Sequence, residues 1–356
     1  MRRSQLAALA SVALLALTVP GCSGRDAPPT AAPAAVAHRI SVPSPAAVAP
    51  SRAAIRYVRW RGPVEHIFFH PLVIRPRLAF TSDRLGLGFQ HFFVTVHEFR
   101  RILLGLWRHH WTLVDAHRAA TGHVWVPVGR RPLVLSEDDL NYYAYFRGRG
   151  LGARLVLDKT GDVRIQVHEP DGTRRTTDQD LIPLVDEFVA QHPAFSANGA
   201  KGLLALTAYE GLFGEHDLTN PAARARVRAL VARLSATGWS FASHTYGHID
   251  LSMDSLATIA RDTARWKATA KDLLPHTDML VYPFGARPTP AGMVFLRDQG
   301  FRIQFDIDIR ARLVHELGVT VMSRRHIDGY AFEDPSRLRP FFSVAAVRDP
   351  ARPPDP

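Results

Sequence analysis

The chain has 356 residues, a formal net charge of +11 and one cysteine. The length fits one large domain and is generous for two, and a single cysteine excludes an internal disulfide. The basic residues are spread along the chain in short runs such as Arg130-Arg131 and Arg174-Arg175. A solvated, arginine-rich surface is the simplest explanation of that distribution.

The N-terminus has the pattern of an export signal. Two arginines precede an apolar stretch, residues 6–19, that is too short to span a bilayer. The next residues, Thr-Val-Pro-Gly-Cys at 18–22, resemble the lipobox of bacterial lipoproteins. We therefore predict a lipoprotein signal peptide at residues 1–21 and lipidation of Cys22. The protein is then exported and membrane-anchored at the outer face of the cell membrane, or secreted if the lipobox is not used.

Composition divides the rest of the chain into three parts. Residues 22–54 are mostly Ala and Pro with some Ser, which cannot bury a core and predict a semi-extended tether. Residues 55–345 carry the apolar segments of a folded domain, and the Pro-rich residues 346–356 predict a disordered tail. An exported basic domain meets anionic envelope polymers and lipid headgroups, so we expect no nucleic-acid partner.

Short apolar runs predict strands, and longer runs with helical spacing predict helices. The predicted strands are residues 64–69, 111–114, 132–136, 155–158, 163–169, 202–208, 239–242, 279–282, 301–307 and 319–323. The predicted helices are residues 95–106, 181–191, 222–236, 291–299 and a helix capped by Ser252 that ends near residue 274. Repeated strand–helix–strand units predict an α/β fold with a parallel sheet or barrel, into which a β-hairpin at residues 155–169 is inserted.

Three motifs follow the ends of predicted strands and should therefore share one rim of the fold. They are the pair Asp138-Asp139, the pair His244 and His248, and the turn at residues 282–285. Each pair alone is common, because Asp pairs also occur at helix starts and spaced histidines occur by chance. Two imidazoles and one carboxylate together leave positions open for water and substrate, as a catalytic metal site requires. Asp138 is then placed to act as general base in the hydrolysis of an amide or ester.

The motifs resemble those of the polysaccharide deacetylases, carbohydrate esterase family four with its NodB homology domain. The segment LSEDD at 135–139 corresponds to the family's Thr-Phe-Asp-Asp, HTYGH at 244–248 to its His-[Ser/Thr]-x-x-His, and YPFG at 282–285 to its third motif. The resemblance covers most of residues 64–330. It implies a distorted (β/α) barrel and a metal-dependent hydrolase acting on non-peptide carbon–nitrogen bonds. The implied reaction removes N- or O-linked acetyl groups from an envelope or extracellular polysaccharide.

The resemblance also implies roles for individual residues. Asp138 is the expected base. One divalent ion, with zinc as the first candidate, is expected on Asp139, His244 and His248. The expected substrate and oxyanion contacts are Tyr282, Pro283, Phe284 and Gly285, with the backbone N–H near Phe284 holding the oxyanion. Tyr209 follows another predicted strand on the same rim and joins them as a substrate contact.

Three positions depart from the family pattern. Glu137 replaces the usual aromatic residue before the Asp pair and is expected to add charge beside the site. Val281 stands where the third motif usually has the arginine that orients the base. The late histidine that serves as general acid has no clear match, and His326 is our candidate for it. Arg325 and Asp308 are lesser candidates for related roles.

These departures leave a second hypothesis, a carbohydrate-binding lipoprotein with a degenerate deacetylase site. A third keeps the hydrolase and moves the substrate to a non-sugar amide. Two other histidine positions are also notable. His70 ends the first strand and is a candidate to line the pocket. The cluster Arg108-His109-His110 falls at a helix end, where cationic side chains suit the dipole, so we predict that these residues lie on the surface.

Overall fold

The computed structural model describes residues 55–354. The predicted signal peptide, the lipidation site Cys22 and the tether lie outside the described residues and stay predictions. The strands are β1 Tyr57–Arg59, β2 Glu65–Phe69, β3 Trp111–Leu113, β4 Trp125–Pro127, β5 Arg131–Asp138, β6 Arg154–Leu157, β7 Val163–His168, β8 Arg174–Thr177, β9 Gly202–Leu206, β10 Trp239–Ser243, β11 Met279–Val281, β12 Ile303–Ile307, β13 Leu313–Glu316 and β14 Val319–His326.

The helices lie mostly between the strands. They are α1 Pro76–Ala79, α2 Arg84–Phe92, α3 Val96–Arg108, α4 Ala116–Ala120, α5 Leu181–Gln191, α6 Pro221–Ala236, α7 Leu256–Ala270, α8 Pro290–Asp298, α9 Gly329–Phe332 and α10 Val344–Val347. Within the described part of the chain, no helix combines the length and hydropathy needed to span a membrane.

Seven parallel strands close into a barrel in the order β2, β5, β9, β10, β11, β12 and β14, with β14 pairing back to β2. β3 pairs with β5 outside this ring, and β13 pairs antiparallel with β14. The (β/α) barrel expected from the resemblance is therefore confirmed. All carboxyl ends of the seven strands open on one rim, which places the three sequence motifs together.

Alternation along the strands separates two apolar layers. On β5, Leu133 and Leu135 face outward into the layer formed with the helices, whereas Val134 faces the barrel interior among small and branched residues of the other strands. The same alternation carries Ser136 and Asp138 inward and Glu137 outward. The barrel interior is thus polar at the carboxyl ends of the strands, where the motifs lie.

The predicted hairpin insertion is present and is larger than expected. β6, β7 and β8 form a separate antiparallel sheet, whose third strand the sequence analysis missed. β8 has the sequence Arg-Arg-Thr-Thr, with no buried apolar residue to signal a strand. On β7, Val163, Ile165 and Val167 are buried, while the residues between them are partly exposed.

The predicted disordered tail is wrong for residues 346–354. They include the end of α10 and a loop fixed by a buried ion pair, in which Arg352 donates to both carboxylate oxygens of Glu98 at 2.7 Å. Arg352 also donates to the carbonyls of Gln90 and Phe93, and Asp349 accepts from Thr95 at 2.7 Å. Proline content predicted a loose segment because the acidic partner lies more than 250 positions earlier in the chain.

The helix after the histidine motif starts later than predicted. Ser255, not Ser252, is the N-cap of α7 and accepts from the N–H of Thr258. Ser252 instead donates from its hydroxyl to Asp250 in a short turn. Hydroxyl groups suit both positions, so composition alone did not distinguish the turn from the cap.

Candidate metal centre

The three predicted ligands converge at the carboxyl ends of β5 and β10. One ligand atom each from Asp139, His244 and His248 lies within 4.8 Å of the others, and this is the one such group of three or more His, Cys, Asp or Glu side chains within residues 55–354. His248 Nε2 is 3.8 Å from Asp139 Oδ2. Two ligands that each lie about 2 Å from one ion are separated by a distance of this kind.

Backbone conformation explains how two consecutive aspartates reach the same rim. Neighbouring residues of a strand point to opposite faces, so a continued strand would aim Asp138 and Asp139 apart. Asp139 instead has φ of 63°, in the left-handed region, which turns its side chain back toward the histidines. His248 also has positive φ, at 53°. Strain of this kind is typical of functional sites.

His244 is held with one nitrogen free to bind a metal. Its Nδ1 donates to the carbonyl of Val281 at 3.0 Å, which fixes the tautomer and leaves Nε2 as the acceptor. Burial lowers the pKa of His244 to about 4. The neutral imidazole that binds metals is therefore its form at neutral pH.

Asp139 is oriented by a tyrosine from its own loop. The hydroxyl of Tyr143 donates to Asp139 Oδ1 at 2.6 Å and lies 3.0 Å from the hydroxyl of Thr207. Burial acts to raise the pKa of Asp139, but the charges of His248 and His244 outweigh it and hold the pKa below its ordinary value. The carboxylate is thus ionised and has one oxygen left for a cation.

A buried carboxylate holds the loop that carries the two histidines. Asp262, on α7, accepts from the N–H groups of Tyr246 and Gly247 at 2.7 and 2.8 Å. The ring of His248 packs against Phe284 with centroids 4.5 Å apart. The third motif therefore supports the second through direct contact.

The predicted base, Asp138, lies beside the ligands and is paired with an arginine that the sequence analysis missed. Arg324, on β14, donates to both Asp138 oxygens at 2.7 and 2.9 Å and is 1% exposed. Burial tends to raise the pKa of Asp138, but Arg324 and His244 lower it to about 2. Asp138 Oδ2 is 3.9 Å from His244 Nε2, so the base is next to the metal ligands.

Arg324 supplies the guanidinium group that is missing at Val281. The position that usually carries an arginine is apolar here, and the guanidinium comes instead from β14, which lies two strands from β11 and two strands from β5 in the barrel. Arg324 also lies 4.2 Å from the ring centroid of Phe68 and donates to the Ser136 hydroxyl at 3.3 Å, which in turn is 2.9 Å from His66 Nε2. Its direction is thus set by several buried partners.

Glu137 does not add charge to the site, contrary to our expectation. Its side chain faces outward from the barrel, and neither carboxyl oxygen has a hydrogen-bond partner among the described residues. Burial, with the nearby carboxyls of Asp180 and Asp138, raises the pKa of Glu137 well above its ordinary range. This shift favours the protonated, uncharged form of the side chain.

His326 reaches the same rim, two residues beyond Arg324 on β14. Both side chains contact Phe68, with the His326 ring centroid 6.4 Å from that of Phe68. Asp328 is 2.9 Å from His326 Nδ1 and raises the pKa of the imidazole, which favours the protonated form. His70 also contacts Phe68, and its charge acts on Asp138 and Asp139. The structure thus brings two histidines to this side of the site.

The lesser candidates lie elsewhere. Arg325 points away from the barrel interior, toward Glu65 at 3.6 Å and the carbonyl of Arg337. Asp308 is more than a third exposed and lies 3.7 Å from Arg312. His109 and His110 are exposed, as predicted.

The predicted substrate contacts divide into two groups. Tyr282 is fully buried and donates its hydroxyl to Gln304, so its side chain is a core residue and that prediction is wrong for it. Pro283 is buried as well, and a side chain on Gly285 would collide with Ile307. Phe284, at φ of 59°, and Tyr209, whose ring stacks on Tyr143 at 5.3 Å, remain next to the ligands.

No family model and no curated protein matches the chain. The chain is similar to solved deacetylase structures. Streptococcus pyogenes deacetylase PplD in complex with acetate matches at 14% identity, covering 79% of this chain and 99% of that one, with a TM-score of 0.47.

Two further solved structures show the same level of similarity. IcaB from Ammonifex degensii is 16% identical, with 81% and 97% coverage and a TM-score of 0.46. The de-N-acetylase from Aggregatibacter actinomycetemcomitans is 11% identical, with 79% and 100% coverage and a TM-score of 0.48. Because each TM-score is below 0.5, the chemistry of this chain has to be argued from its own residues.

Proposed function

We propose that the protein is a metal-dependent hydrolase that removes acetyl groups from a polysaccharide. One observation carries the proposal: Asp139, His244 and His248 converge beside an aspartate that a buried arginine holds in a bidentate pair. A metal site without a hydrolytic role has no need of that second carboxylate. The sequence resemblance to polysaccharide deacetylases supports an acetylated glycan as substrate.

The donor set fits a divalent ion. It offers one carboxylate oxygen and two imidazole nitrogens, His244 is neutral, and outer partners fix both His244 and Asp139. A divalent ion, when bound, polarises the acetyl carbonyl and makes water acidic enough to attack near neutral pH. Zinc suits this mixture of nitrogen and oxygen ligands, and we propose it as the native ion.

The chain's own residues supply the proton transfers and the orientation. Asp138 accepts the proton of the attacking water, and Arg324 keeps its two oxygens aligned for that transfer. The backbone N–H near Phe284 donates to the oxyanion, in a loop packed against His248. His326, kept protonated by Asp328, donates the proton that the leaving sugar amine or hydroxyl requires.

The role of His326 predicts a pH effect for Asp328→Asn. Asp328 raises the pKa of His326, so its charge extends the protonated form to higher pH, and removing it lowers the pKa. We expect the alkaline limb of the kcat/KM profile for acetate release to move to lower pH. Asparagine still caps α9 by accepting from the Ala331 N–H, so the fold is retained.

Asp334→Asn is the matched control, because the Asp334 carboxylate lies in the turn after α9 with its side chain 44% exposed. Its profile should equal that of the unmodified protein. An unchanged alkaline limb in Asp328→Asn would remove His326 from the acid role and leave His70, to be checked by His70→Gln.

The function itself is tested by metal analysis and acetate release. We expect one divalent ion per chain by mass spectrometry. We also expect acetate from acetylated glycans but not from simple acetamides, loss of release after chelation, and recovery with zinc. A chain that binds glycan, holds no metal and releases no acetate would support the carbohydrate-binding hypothesis instead. Release from simple amides as fast as from glycans would move the substrate away from sugars.

Two of the three departures that motivated the carbohydrate-binding hypothesis no longer support it. Glu137 is buried in the outer layer, facing away from the metal centre, and Arg324 pairs with Asp138 in place of the arginine missing at Val281. We also propose that the enzyme acts at the cell envelope, attached through a lipid on Cys22. Metabolic labelling with a fatty acid, with Cys22→Ser as control, tests that attachment.

A further inference from the structure

The inserted sheet of β6, β7 and β8 has one apolar face and one basic face. Residues opposite each other in the register share a face: Arg154 with Gln166, and His168 with Arg174. The outward set, called the basic face below, consists of Arg154, Val156, Arg164, Gln166, His168, Arg174 and Thr176. Four of these positions hold basic residues and none is acidic.

The basic face is neutralised only in part, because Arg164 lies 3.2 Å from Asp158 and 3.6 Å from Asp162. Arg154 pairs with Glu215 at 3.1 Å, but Glu215 also binds Arg226. Arg174 and the neighbouring Arg147 are exposed and form no ion pair with any residue of the described part of the chain. Burial and the charges of Arg174 and Arg147 lower the pKa of His168, which shows how close these charges lie. Two unpaired guanidinium groups therefore share one patch.

A row of stacked tyrosines joins this patch to the metal centre. Tyr143 donates to Asp139, and Tyr145 stacks on Tyr143 with centroids 5.4 Å apart and 13° between planes. Tyr145 is 40% exposed, and Arg147 follows two residues later. Tyr143 and Tyr145 thus link a metal ligand to the loop that carries Arg147.

The loop after β9 makes the same connection on the other side. Tyr209 stacks on Tyr143 at the metal centre, and Glu215 of the same loop binds Arg154 of the basic face. The N–H of Leu155 donates to the carbonyl of Phe213, which ties this loop to β6. Metal centre and basic face are therefore held in one arrangement by hydrogen bonds.

We propose that the basic face, with Tyr145 and Arg147, binds an anionic stretch of the same polysaccharide whose acetyl group lies at the metal centre. This inference rests on the proposed function and narrows its substrate to glycans that carry carboxylate or phosphate groups. Guanidinium groups bind both anions in a fork geometry, and an exposed tyrosine offers apolar area to a sugar ring. The free charge of Arg147 and Arg174 favours this occupant over a neutral glycan.

Binding of matched polymers to the full chain tests the inference. The probes are acetylated polygalacturonate, the same polymer after reduction of its carboxyl groups, and a phosphodiester-linked mannan, each titrated by calorimetry at low and high salt. We expect the carboxylated or the phosphorylated polymer to bind more tightly than the reduced one, with affinity falling as salt rises. Which of the two anionic polymers binds more tightly identifies the anion.

The double variant Arg147→Ser/Arg174→Ser should weaken binding of the charged polymer by about tenfold and leave the reduced polymer unchanged. Arg118→Ser/Arg302→Ser is the matched control, because both arginines are exposed and form no ion pair within residues 55–354. Arg302 directly precedes β12, and Arg118 lies near the start of β10, so both are at the amino ends of the barrel strands. Equal binding of charged and reduced polymers, no binding of either, or equal loss in both double variants would overturn the inference.

The test separates this inference from the proposed function because binding is measured without turnover. Suppose that binding is salt-sensitive and depends on Arg147 and Arg174, but no polymer releases acetate. This result would contradict the hydrolase and support anion binding by the basic face. Acetate release with no preference for charged polymers would support the hydrolase and contradict anion binding by the basic face.

Discussion

Replacing Asp139 or His248 by alanine is expected to lower acetate release by about 10³-fold or more. Each change removes one of three donors from the proposed metal site, and the remaining pair leaves the ion weakly held. Loss of an outer partner typically costs about 10- to 100-fold, so loss of a direct ligand should exceed that range. The measurements are initial rates of acetate release and metal content per chain.

Tyr143→Phe provides a graded comparison for these variants. It deletes only the 2.6 Å hydrogen bond to Asp139, so we expect a loss of about 10- to 100-fold with part of the metal retained. His276→Ala is the inert control, because His276 is an exposed histidine away from the site. Full turnover in Asp139→Ala or His248→Ala would contradict the assignment of the ligands.

Arg324→Met is expected to reduce both stability and activity. The pair with Asp138 is buried on both sides, and removing one partner of such a pair costs about 3–5 kcal/mol because the other charge is left uncompensated. The base also loses its orientation and its ionised form becomes costly, so we expect acetate release to fall about 10²- to 10³-fold. Urea unfolding and steady-state rates measure the two effects.

Two further variants separate orientation from stability. Arg324→Met combined with Asp138→Asn removes both charges and should recover part of the lost stability, with no recovery of activity. Arg325→Met is the control on the same strand, because its side chain points away from the site, and its turnover should be unchanged. Equal activity losses in Arg324→Met and Arg325→Met would show that Arg324 has no specific role.

The sequence predicted most of the barrel because buried parallel strands are short, continuous apolar runs. α5 begins and ends at the predicted residues, and all seven barrel strands overlap predicted segments, although β5, β10 and β14 extend beyond them. The metal ligands were predictable for a related reason, since every motif after such a strand opens on the same rim. Strand order was not needed for that argument.

Arg324 was missed because it depends on strand order. It lies on the last barrel strand, and only closure of β14 onto β2 brings it next to Asp138, 186 residues earlier. Its sequence context, Ser-Arg-Arg-His, does not tell which arginine faces inward. The prediction for Glu137 was wrong for a related reason. A charged residue next to a catalytic pair suggests a functional role, but the alternation of side chains along β5 places Glu137 on the outer face.

The pair of Glu98 and Arg352 has a consequence for the order in which the chain is completed. Glu98 is fully buried beneath a segment that is synthesised 254 residues after it. Until Arg352 has emerged from the ribosome, Glu98 lacks both its guanidinium partner and the segment that covers it. Burial of Glu98 at the start of α3 therefore waits for the synthesis of Arg352, because covering the carboxylate without that partner would cost several kcal/mol.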